Sequence, residues 1–206
     1  MKNLNLNLYL VTDTNENQEE FLNIIGESIK GGVNLVQIRE KTKDTLDFYK
    51  LALKVKKKKK KYGIPLIIND RVDIALAIDA DGVHVGQSDM PCDITRKLIG
   101  DNKILGVSAT TISEAMKAER DGADYIGTGA IFPTSTKKDA ETVPKKELKE
   151  IVNCVNIPVV AIGGITIENA PTLLDTGIAG ISVISAIINS NNPKESAEKL
   201  LNIFNS

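Results

Sequence analysis

The chain has 206 residues, of which 42% are apolar and 26% charged, with 26 basic against 27 acidic side chains. This balance is typical of a soluble globular protein, and the length suits a single domain spanning residues 1–206. A net charge of -1 lacks the basic excess of proteins that bind nucleic acid or anionic membranes, so we expect no such partner.

The N-terminus alternates polar and apolar residues, which predicts a strand and not a signal peptide. No apolar run approaches the roughly 18 residues that cross a bilayer, so we expect a cytoplasmic protein. Cys92 and Cys154 have no second Cys or His at ligand spacing, which predicts two reduced cysteines that serve in packing.

Short β-branched runs alternate with amphipathic stretches along the whole chain, a pattern that predicts parallel βαβ units. Strands are predicted at 6–11, 33–38, 66–68, 83–85, 104–107, 125–127, 159–162 and 180–184. The clearest helical patterns, with apolar residues spaced by three and four, lie at 18–30, 44–61, 112–121, 145–154 and 167–175. We expect one helix after every strand.

A short pattern, in which a predicted helix end is followed by glycine and then by a strand, recurs at Gly32, Gly82, Gly122 and Gly177. Each glycine is expected to adopt the left-handed conformation that ends a helix. Recurrence at every second strand favours a compact (β/α)8 TIM barrel. The alternative, a doubly wound open sheet, usually has a glycine-rich turn after its first strand, whereas residues 12–16 read TDTNE.

Six consecutive lysines at 56–61 continue the second predicted helix. We interpret them as a solvated helix end, because Lys is a good helix former and its charge suits the helix C-terminus. A basic patch for nucleic acid is the alternative.

Acidic and basic side chains follow neighbouring strands, at the barrel end where reactive groups gather. Asp70 and Asp89 follow strands three and four, near Arg39, Lys41 and Asn69. Two carboxylates, completed by water and substrate phosphates, are a common way to hold Mg²⁺, and the cations suit a polyphosphate. Acidic residues are also common on surfaces after strands, so composition alone leaves the metal site open.

The last two strands end in sequences that suit a phosphate group. Gly163 and Gly164 follow strand seven, and Ile184 and Ser185 follow strand eight. Turns that open a helix in this way offer backbone N–H groups to an anion. Two tight turns that merely require glycine are the alternative.

The loop after strand six, at 127–143, is long enough to act as a lid. Its Thr134, Thr136 and Lys137 would bind phosphates if it closed, and a lysine-rich surface excursion is the alternative. His84 is the one histidine of the chain, and we interpret it as a structural imidazole, with a general base as the alternative.

Seven strand-end sequences, taken in order, resemble those of the thiamine-phosphate synthase family. They are VQIREK at 36–41, INDRVD at 68–73, GVHVGQSD at 82–89, LGVS at 105–108, IFPTSTK at 131–137, AIGGI at 161–165 and SVISAI at 182–187. The resemblance implies an eight-fold barrel that transfers the 4-amino-2-methylpyrimidin-5-ylmethyl group from its pyrophosphate to 4-methyl-5-(2-phosphoethyl)thiazole. The products would be thiamine phosphate and pyrophosphate, formed with Mg²⁺.

The resemblance also implies a role for each site residue. Asp70 and Asp89 would bind Mg²⁺. Arg71 stands where some members have a second acid, so at the end of strand three metal binding rests on Asp70 alone. The pyrimidine pyrophosphate would be held by Gln37, Arg39, Lys41, Asn69 and Lys137, with Ser108 near the pyrimidine. The thiazole phosphate would be held by Thr134, Thr136, Gly164, Ile184 and Ser185. Arg39, Ser108 and Lys137 would be the catalytic residues.

An electron-rich aminopyrimidine stabilises a cation at its methylene carbon, so pyrophosphate can leave before the thiazole nitrogen attacks. Such a dissociative reaction needs phosphate ligands and alignment of the substrates, but no strong base. A thiazole tautomerase or regulator-like barrel of the same superfamily is the alternative, against which the set of Asn69, Asp70, Asp89 and Lys137 argues. The partners expected are two small-molecule substrates, and the sequence leaves homo-oligomer formation open.

Overall fold

A computed structural model describes residues 4–13, 17–134 and 142–204 of the chain. These residues form strands β1 (Leu8–Val11), β2 (Leu35–Ile38), β3 (Leu66–Asn69), β4 (Gly82–Val85), β5 (Ile104–Ser108), β6 (Tyr125–Thr128), β7 (Val159–Ile162) and β8 (Gly180–Val183). Each strand pairs in parallel with the next, and β8 pairs with β1 through Tyr9 and Ser182, so the sheet closes. The predicted (β/α)8 barrel is confirmed.

The helices follow the strands in sequence. They are α1 (Gln18–Lys30), α2 (Thr45–Lys59), α3 (Val72–Ala77), α4 (Cys92–Ile99), α5 (Ile112–Arg120), α6 (Lys145–Cys154), α7 (Ser185–Ile188) and α8 (Pro193–Phe204). Short 3₁₀ helices lie at Lys60–Tyr62 and Ala170–Thr176. No helix among the described residues is both long and apolar enough to span a membrane.

The region after β7 differs from the prediction of an α-helix at 167–175. The structure has a 3₁₀ helix there, Ala170–Thr176, with a proline at its start. Pro171 lacks an N–H group, and the hydroxyl of Thr172 donates to the Asn169 carbonyl at 2.7 Å. The prediction of one helix per strand also fails at β8, which α7 and α8 follow.

Side chains alternate between two sides of the barrel wall, because successive residues of a strand point to opposite faces. One set of buried residues packs inside the barrel: Leu6, Tyr9, Val11, Leu35, Ile67, Ile104, Tyr125 and Val160. The alternate residues, such as Leu10, Val36 and Ile126, belong to the larger cluster that includes the helices. The inward residues nearest the strand ends therefore reach the mouth of the barrel.

The repeated glycines have two different structural roles. Gly32, Gly122 and Gly177 have positive φ angles of 101°, 98° and 79°, as predicted for helix ends. Gly82 does not, and the prediction is wrong there: it lies in β4, where a Cβ atom would come within 2.2 Å of the Ile104 carbonyl oxygen. The left-handed residue after α3 is Asp79, with φ of 49°.

The lysine run is more than a solvated helix end, which corrects the interpretation from sequence. Lys59 is buried and forms an ion pair with Asp81. The ammonium group of Lys56 donates to the carbonyl oxygens of Ile78 and Asp79 at 2.7 and 2.8 Å. These two lysines fasten α2 to the turn between α3 and β4.

Both cysteines are free, as predicted. Cys92 is buried, and its burial raises the pKa of the thiol to about 11. Cys154 is partly exposed and packs beside the main core.

Candidate active site

The carboxyl ends of the strands open into one cavity of about 510 Å³. Most of the side chains that the sequence singles out line it: Gln37, Arg39, Lys41, Asn69, Asp70, Asp89, Ser108, Thr134 and Ile184. They come from strand ends far apart in the chain, and closure of the barrel brings them together. The structure thus gathers these predicted site residues around one space.

Asp70 and Asp89 form a pair of neighbouring carboxylates at one side of the mouth. Asp70 has a left-handed backbone, with φ of 60°, and its N–H group donates to the His84 carbonyl at 2.8 Å. Burial raises the pKa of the Asp70 carboxyl, the Asp89 carboxylate raises it further, and a hydrogen bond from Lys41 lowers it. Asp89 is itself held by the Gly86 N–H group, 2.7 Å from Oδ2.

This donor set fits a magnesium ion. Mg²⁺ is usually bound through one or two carboxylates, with water and substrate phosphates as the remaining ligands. Among the described residues, no group of three or more His, Cys, Asp or Glu side chains is placed to enclose a metal. Arg71 does not join the carboxylate pair, since its guanidinium donates to Asp73 and Thr45.

Two cationic side chains line the same cavity as the carboxylate pair. Arg39 donates to Asp13 at 3.1 Å, and its backbone N–H group donates to the Thr12 hydroxyl at 3.2 Å. Lys41 is half-exposed and reaches Asp70. These contacts hold two positive charges at the mouth, where a polyphosphate would meet them.

A chain of five hydrogen-bonded side chains crosses the inside of the barrel below the mouth. The amide nitrogen of Gln37 donates to the Tyr9 hydroxyl at 2.5 Å, which lies 2.8 Å from the Tyr125 hydroxyl. Nδ1 and Nε2 of His84 lie 2.9 Å from the Tyr125 hydroxyl and from Oγ of Ser108. His84 is therefore hydrogen-bonded at both ring nitrogens, and Gln37 and Ser108 form the two ends of the chain.

A smaller pocket lies beside the main cavity at the ends of β7 and β8. It is lined by Thr134, Ile162, Gly163, Gly164, Ile165, Ser182, Val183, Ile184 and Ser185. Gly163 and Gly164 have φ angles of 98° and 65°, and a Cβ atom on Gly164 would come within 2.5 Å of the Pro133 carbonyl oxygen. Ser182 is 1% exposed, and its hydroxyl has no hydrogen-bond partner within the described ranges.

Backbone hydrogen bonds hold both described ends of the loop after β6, the first to the end of β7 and the second to the start of the loop itself. Ile131 and Phe132 donate to the carbonyl oxygens of Ile162 and Gly163 at 3.0 Å, and Val143 donates to that of Ala130 at 2.8 Å. Thr134 lines both pockets. Thr136 and Lys137, which the sequence assigns to phosphate binding, lie outside the described residues.

The interior tyrosines are the part of the site that sequence reasoning missed. Tyr9 and Tyr125 line the barrel interior, and Tyr9 also lines the cavity. Strand alternation places each of them inside the barrel, but the contact joins residues 116 positions apart, for which the sequence has no local signal.

Comparison with known proteins gives the family. The model of the thiamine monophosphate synthase family matches residues 8–187. This chain belongs to that family. Thiamine-phosphate synthase of Methanobrevibacter smithii is 67% identical over 99% of this chain and 98% of its own, and that of Clostridium tetani is 54% identical over the same shares.

A solved structure agrees with this assignment. Thiamine phosphate pyrophosphorylase from Pyrococcus furiosus superposes with a TM-score of 0.88 at 38% identity, over 98% of this chain and 96% of its own. As a member of the thiamine monophosphate synthase family, the chain is an enzyme, a transferase of thiamine biosynthesis. The family resemblance stated from the strand ends is confirmed.

Proposed function

We propose that this enzyme joins 4-amino-2-methylpyrimidin-5-ylmethyl pyrophosphate to 4-methyl-5-(2-phosphoethyl)thiazole, releasing pyrophosphate and forming thiamine phosphate. The observation that carries the proposal is the shared wall of the two pockets. Thr134, Gly163 and Ile184 line both the large cavity, which holds the carboxylates and cations, and the small glycine pocket. Two substrates that each carry phosphate can therefore meet in one space.

The large cavity suits the pyrimidine pyrophosphate. Arg39, Lys41 and Asn69 line the cavity together with the carboxylate pair and offer positive charge and an amide to the pyrophosphate oxygens. Gln37 and Ser108 lie deeper in the same cavity and present an amide and a hydroxyl to a heteroaromatic ring. Hydrogen-bonding groups set in the wall of an apolar cavity are typical of a site that recognises a ring by its edge.

Asp70 and Asp89 would hold Mg²⁺ together with oxygens of the pyrophosphate. The bound ion would offset negative charge as the pyrophosphate leaves. The left-handed Asp70 backbone supports a functional role, because non-glycine residues adopt that conformation at a cost and often do so at functional sites. The ion pair between Lys41 and Asp70 supports this placement, since it already puts a positive charge beside the Asp70 carboxylate.

The small pocket suits the phosphate of the thiazole substrate. Gly164 leaves the space that a close backbone approach requires, and Ser185 begins α7, whose first N–H groups lack partners within the helix. The buried Ser182 hydroxyl adds a polar group with no hydrogen-bond partner in the described part of the chain. Thr134 and Ile184 complete the lining, and Thr136 is assigned here by the resemblance alone.

The chemistry that this arrangement favours is dissociative. The aminopyrimidine ring stabilises a cation at its methylene carbon, so the residues need only stabilise the departing pyrophosphate and hold the thiazole nitrogen in line. Arg39 and Lys41 stabilise that departing charge, and Lys137 would add a third cation. Ser108 would orient the ring.

Turnover observed by ³¹P NMR tests this function. The enzyme is mixed with both substrates, with Mg²⁺ or with excess EDTA, and the resonances of pyrophosphate and thiamine phosphate are followed. Equal amounts of both products, formed only with Mg²⁺ and only when both substrates are present, are expected. Release of inorganic phosphate from either substrate alone, or no product at all, would contradict the proposal.

A further inference from the structure

The chain of five hydrogen-bonded side chains inside the barrel connects two walls of the cavity. Tyr9 and Tyr125 are 1% and 0% exposed, and burial raises the pKa of each hydroxyl well above its ordinary value. Both phenols therefore remain protonated, and each has one proton to donate. Gln37 and Ser108, at the two ends, line the cavity.

Counting donors gives this chain a direction. In the part of the protein that the structure describes, the Tyr9 hydroxyl contacts the Gln37 amide nitrogen and the Tyr125 hydroxyl. The amide nitrogen can only donate, so Tyr9 accepts from Gln37 and gives its own proton to Tyr125. The opposite direction would leave the Tyr9 proton buried without an acceptor, which is costly.

The direction then passes through the histidine. Tyr125 accepts from Tyr9, so its proton goes to Nδ1 of His84, 2.9 Å away. An imidazole that accepts at Nδ1 carries its proton on Nε2, and Nε2 lies 2.9 Å from Oγ of Ser108. His84 therefore donates to Ser108, and the Ser108 hydroxyl keeps its own proton for a partner in the cavity.

The two ends of the chain consequently present opposite hydrogen-bonding groups. Ser108 donates. The Gln37 amide nitrogen donates to the hydroxyls of Tyr9 and Tyr125, so the group that Gln37 offers to a ligand is its amide oxygen, which can only accept. An aminopyrimidine edge complements this pair, since its ring nitrogen accepts and its exocyclic amine donates. The oxo analogue has a ring N–H group and a carbonyl oxygen, which is the reverse pattern.

We propose that Tyr9, Tyr125 and His84 are positioning residues that fix the hydrogen-bonding direction of Gln37 and Ser108, and so select an aminopyrimidine over its oxo analogue. The proposal rests on the proposed function, which places the pyrimidine ring between these two ends. A site built to hydrogen-bond one pattern discriminates strongly, because the wrong ring leaves buried polar groups unpaired.

The direction of the chain can be measured without any substrate. His84 is the one histidine of the sequence, so ¹⁵N NMR of the untagged protein reports its tautomer with no assignment problem. We expect a neutral ring with the proton on Nε2. A proton on Nδ1, a doubly protonated ring or an averaged mixture of tautomers would overturn the proposal.

Changing the far end of the chain gives a sharper test. In Gln37→Glu a carboxylate can only accept, so Tyr9 must donate to it, Tyr125 to Tyr9, and His84 to Tyr125. Nδ1 of His84 should then carry a proton, because Tyr125 no longer donates to it. An unprotonated Nδ1 in this variant would overturn the directed chain. Tyr49→Phe, on α2 outside the barrel, is the matched control and should leave the wild-type spectrum unchanged.

Selection is measured by kcat/KM for the aminopyrimidine pyrophosphate and for its 4-oxo analogue. We expect wild type and Tyr49→Phe to prefer the amino substrate by at least about a hundredfold. Tyr125→Phe should narrow that ratio by about tenfold or more, because His84 loses the partner that fixes its tautomer. If Tyr125 had a merely structural role, Tyr125→Phe would lower kcat/KM equally for the amino and the oxo substrate, and that result would overturn the proposal. No turnover by wild type would overturn the proposed function and the selection with it, whereas the spectrum would still decide the direction of the chain.

Discussion

Asp70 forms an ion pair with Lys41 while its carboxylate lies against that of Asp89. One ammonium group thus offsets part of the repulsion between two partly buried carboxylates. Burial and Asp89 both raise the pKa of Asp70, so this corner of the barrel favours additional positive charge. Binding of Mg²⁺ with a pyrophosphate is the form of that charge which the proposed reaction uses.

Removing one carboxylate tests the metal site. Asp89→Ala should lower kcat/KM by about a hundredfold or more, because the variant would no longer hold the metal that offsets the negative charge of the departing pyrophosphate. Asp89→Asn should have a similar effect while an amide oxygen still accepts from the Gly86 N–H group. Asp93→Asn, on the exposed surface of α4, is the control and should keep wild-type activity. Steady-state kinetics over a range of Mg²⁺ concentrations measures the effect, and turnover that persists in excess EDTA would contradict a metal role.

Filling the glycine pocket should separate the two substrates. Gly164→Ala places a methyl group within 2.5 Å of the Pro133 carbonyl oxygen, so KM for the thiazole phosphate should rise by about tenfold or more. KM for the pyrimidine pyrophosphate should change much less. Gly100→Ala is the matched control, since Gly100 also has positive φ, 72°, but a methyl group there would meet no atom within 4 Å. An equal rise in both constants would indicate general distortion of the barrel end.

Lys137 is assigned to the pyrophosphate by the resemblance, and it lies outside the described residues. Lys137→Ala should lower kcat by roughly 10² to 10³, the usual effect of deleting one group that stabilises charge in the transition state. KM should change less. Lys138→Ala, the neighbouring substitution, should retain near-normal kcat. Wild-type kcat in Lys137→Ala would leave Arg39, Lys41 and the metal as the groups that stabilise the pyrophosphate.

Arg96 stabilises the end of the barrel opposite the cavity. Its guanidinium donates to the carbonyl oxygens of Gly100, Lys103 and Gly122 at 2.8 to 3.0 Å, and to Asp124 at 2.7 Å. Arg96→Met should lower the free energy of unfolding by about 2–4 kcal/mol, because Asp124 loses its ion pair with Arg96 and several carbonyl groups lose a charged hydrogen-bond donor.

Urea unfolding measures this loss, with Lys97→Met as the control for an exposed ion pair. Activity per folded molecule should remain unchanged in Arg96→Met, since the contacts of Arg96 precede β5 and β6. A loss of activity without a loss of stability would contradict this purely structural role.

The sequence predicts those features that depend on local order. Each strand end carries its own residues, so Asp70, Asp89 and Gly164 can be placed at the mouth once a barrel is inferred. Their convergence on one cavity follows from closure of the sheet. The alternation of β-branched runs and helical patterns predicts parallel βαβ units, and the recurring glycines, left-handed at three of their four positions, favour closure over an open sheet.

Features that depend on contacts distant in sequence cannot be predicted in this way. Lys59 has the same local pattern as the exposed lysines beside it, and only the position of Asp81 distinguishes it. Tyr9 and Tyr125 meet because two strands face each other across the barrel. The 3₁₀ helix Ala170–Thr176 keeps an apolar spacing close to that of an α-helix, so periodicity alone does not separate the two.

A crystal structure of the enzyme with thiamine phosphate, pyrophosphate and Mn²⁺ tests the arrangement of both substrates and the metal most directly. Mn²⁺ replaces Mg²⁺ and is located by its anomalous scattering. We expect Mn²⁺ to be bound to Asp70, Asp89 and the pyrophosphate, with the pyrimidine ring between Gln37 and Ser108. We also expect the phosphate of thiamine phosphate to lie against Gly164 and Ser185. A metal bound elsewhere, or both phosphate groups on one side of the cavity, would contradict this arrangement.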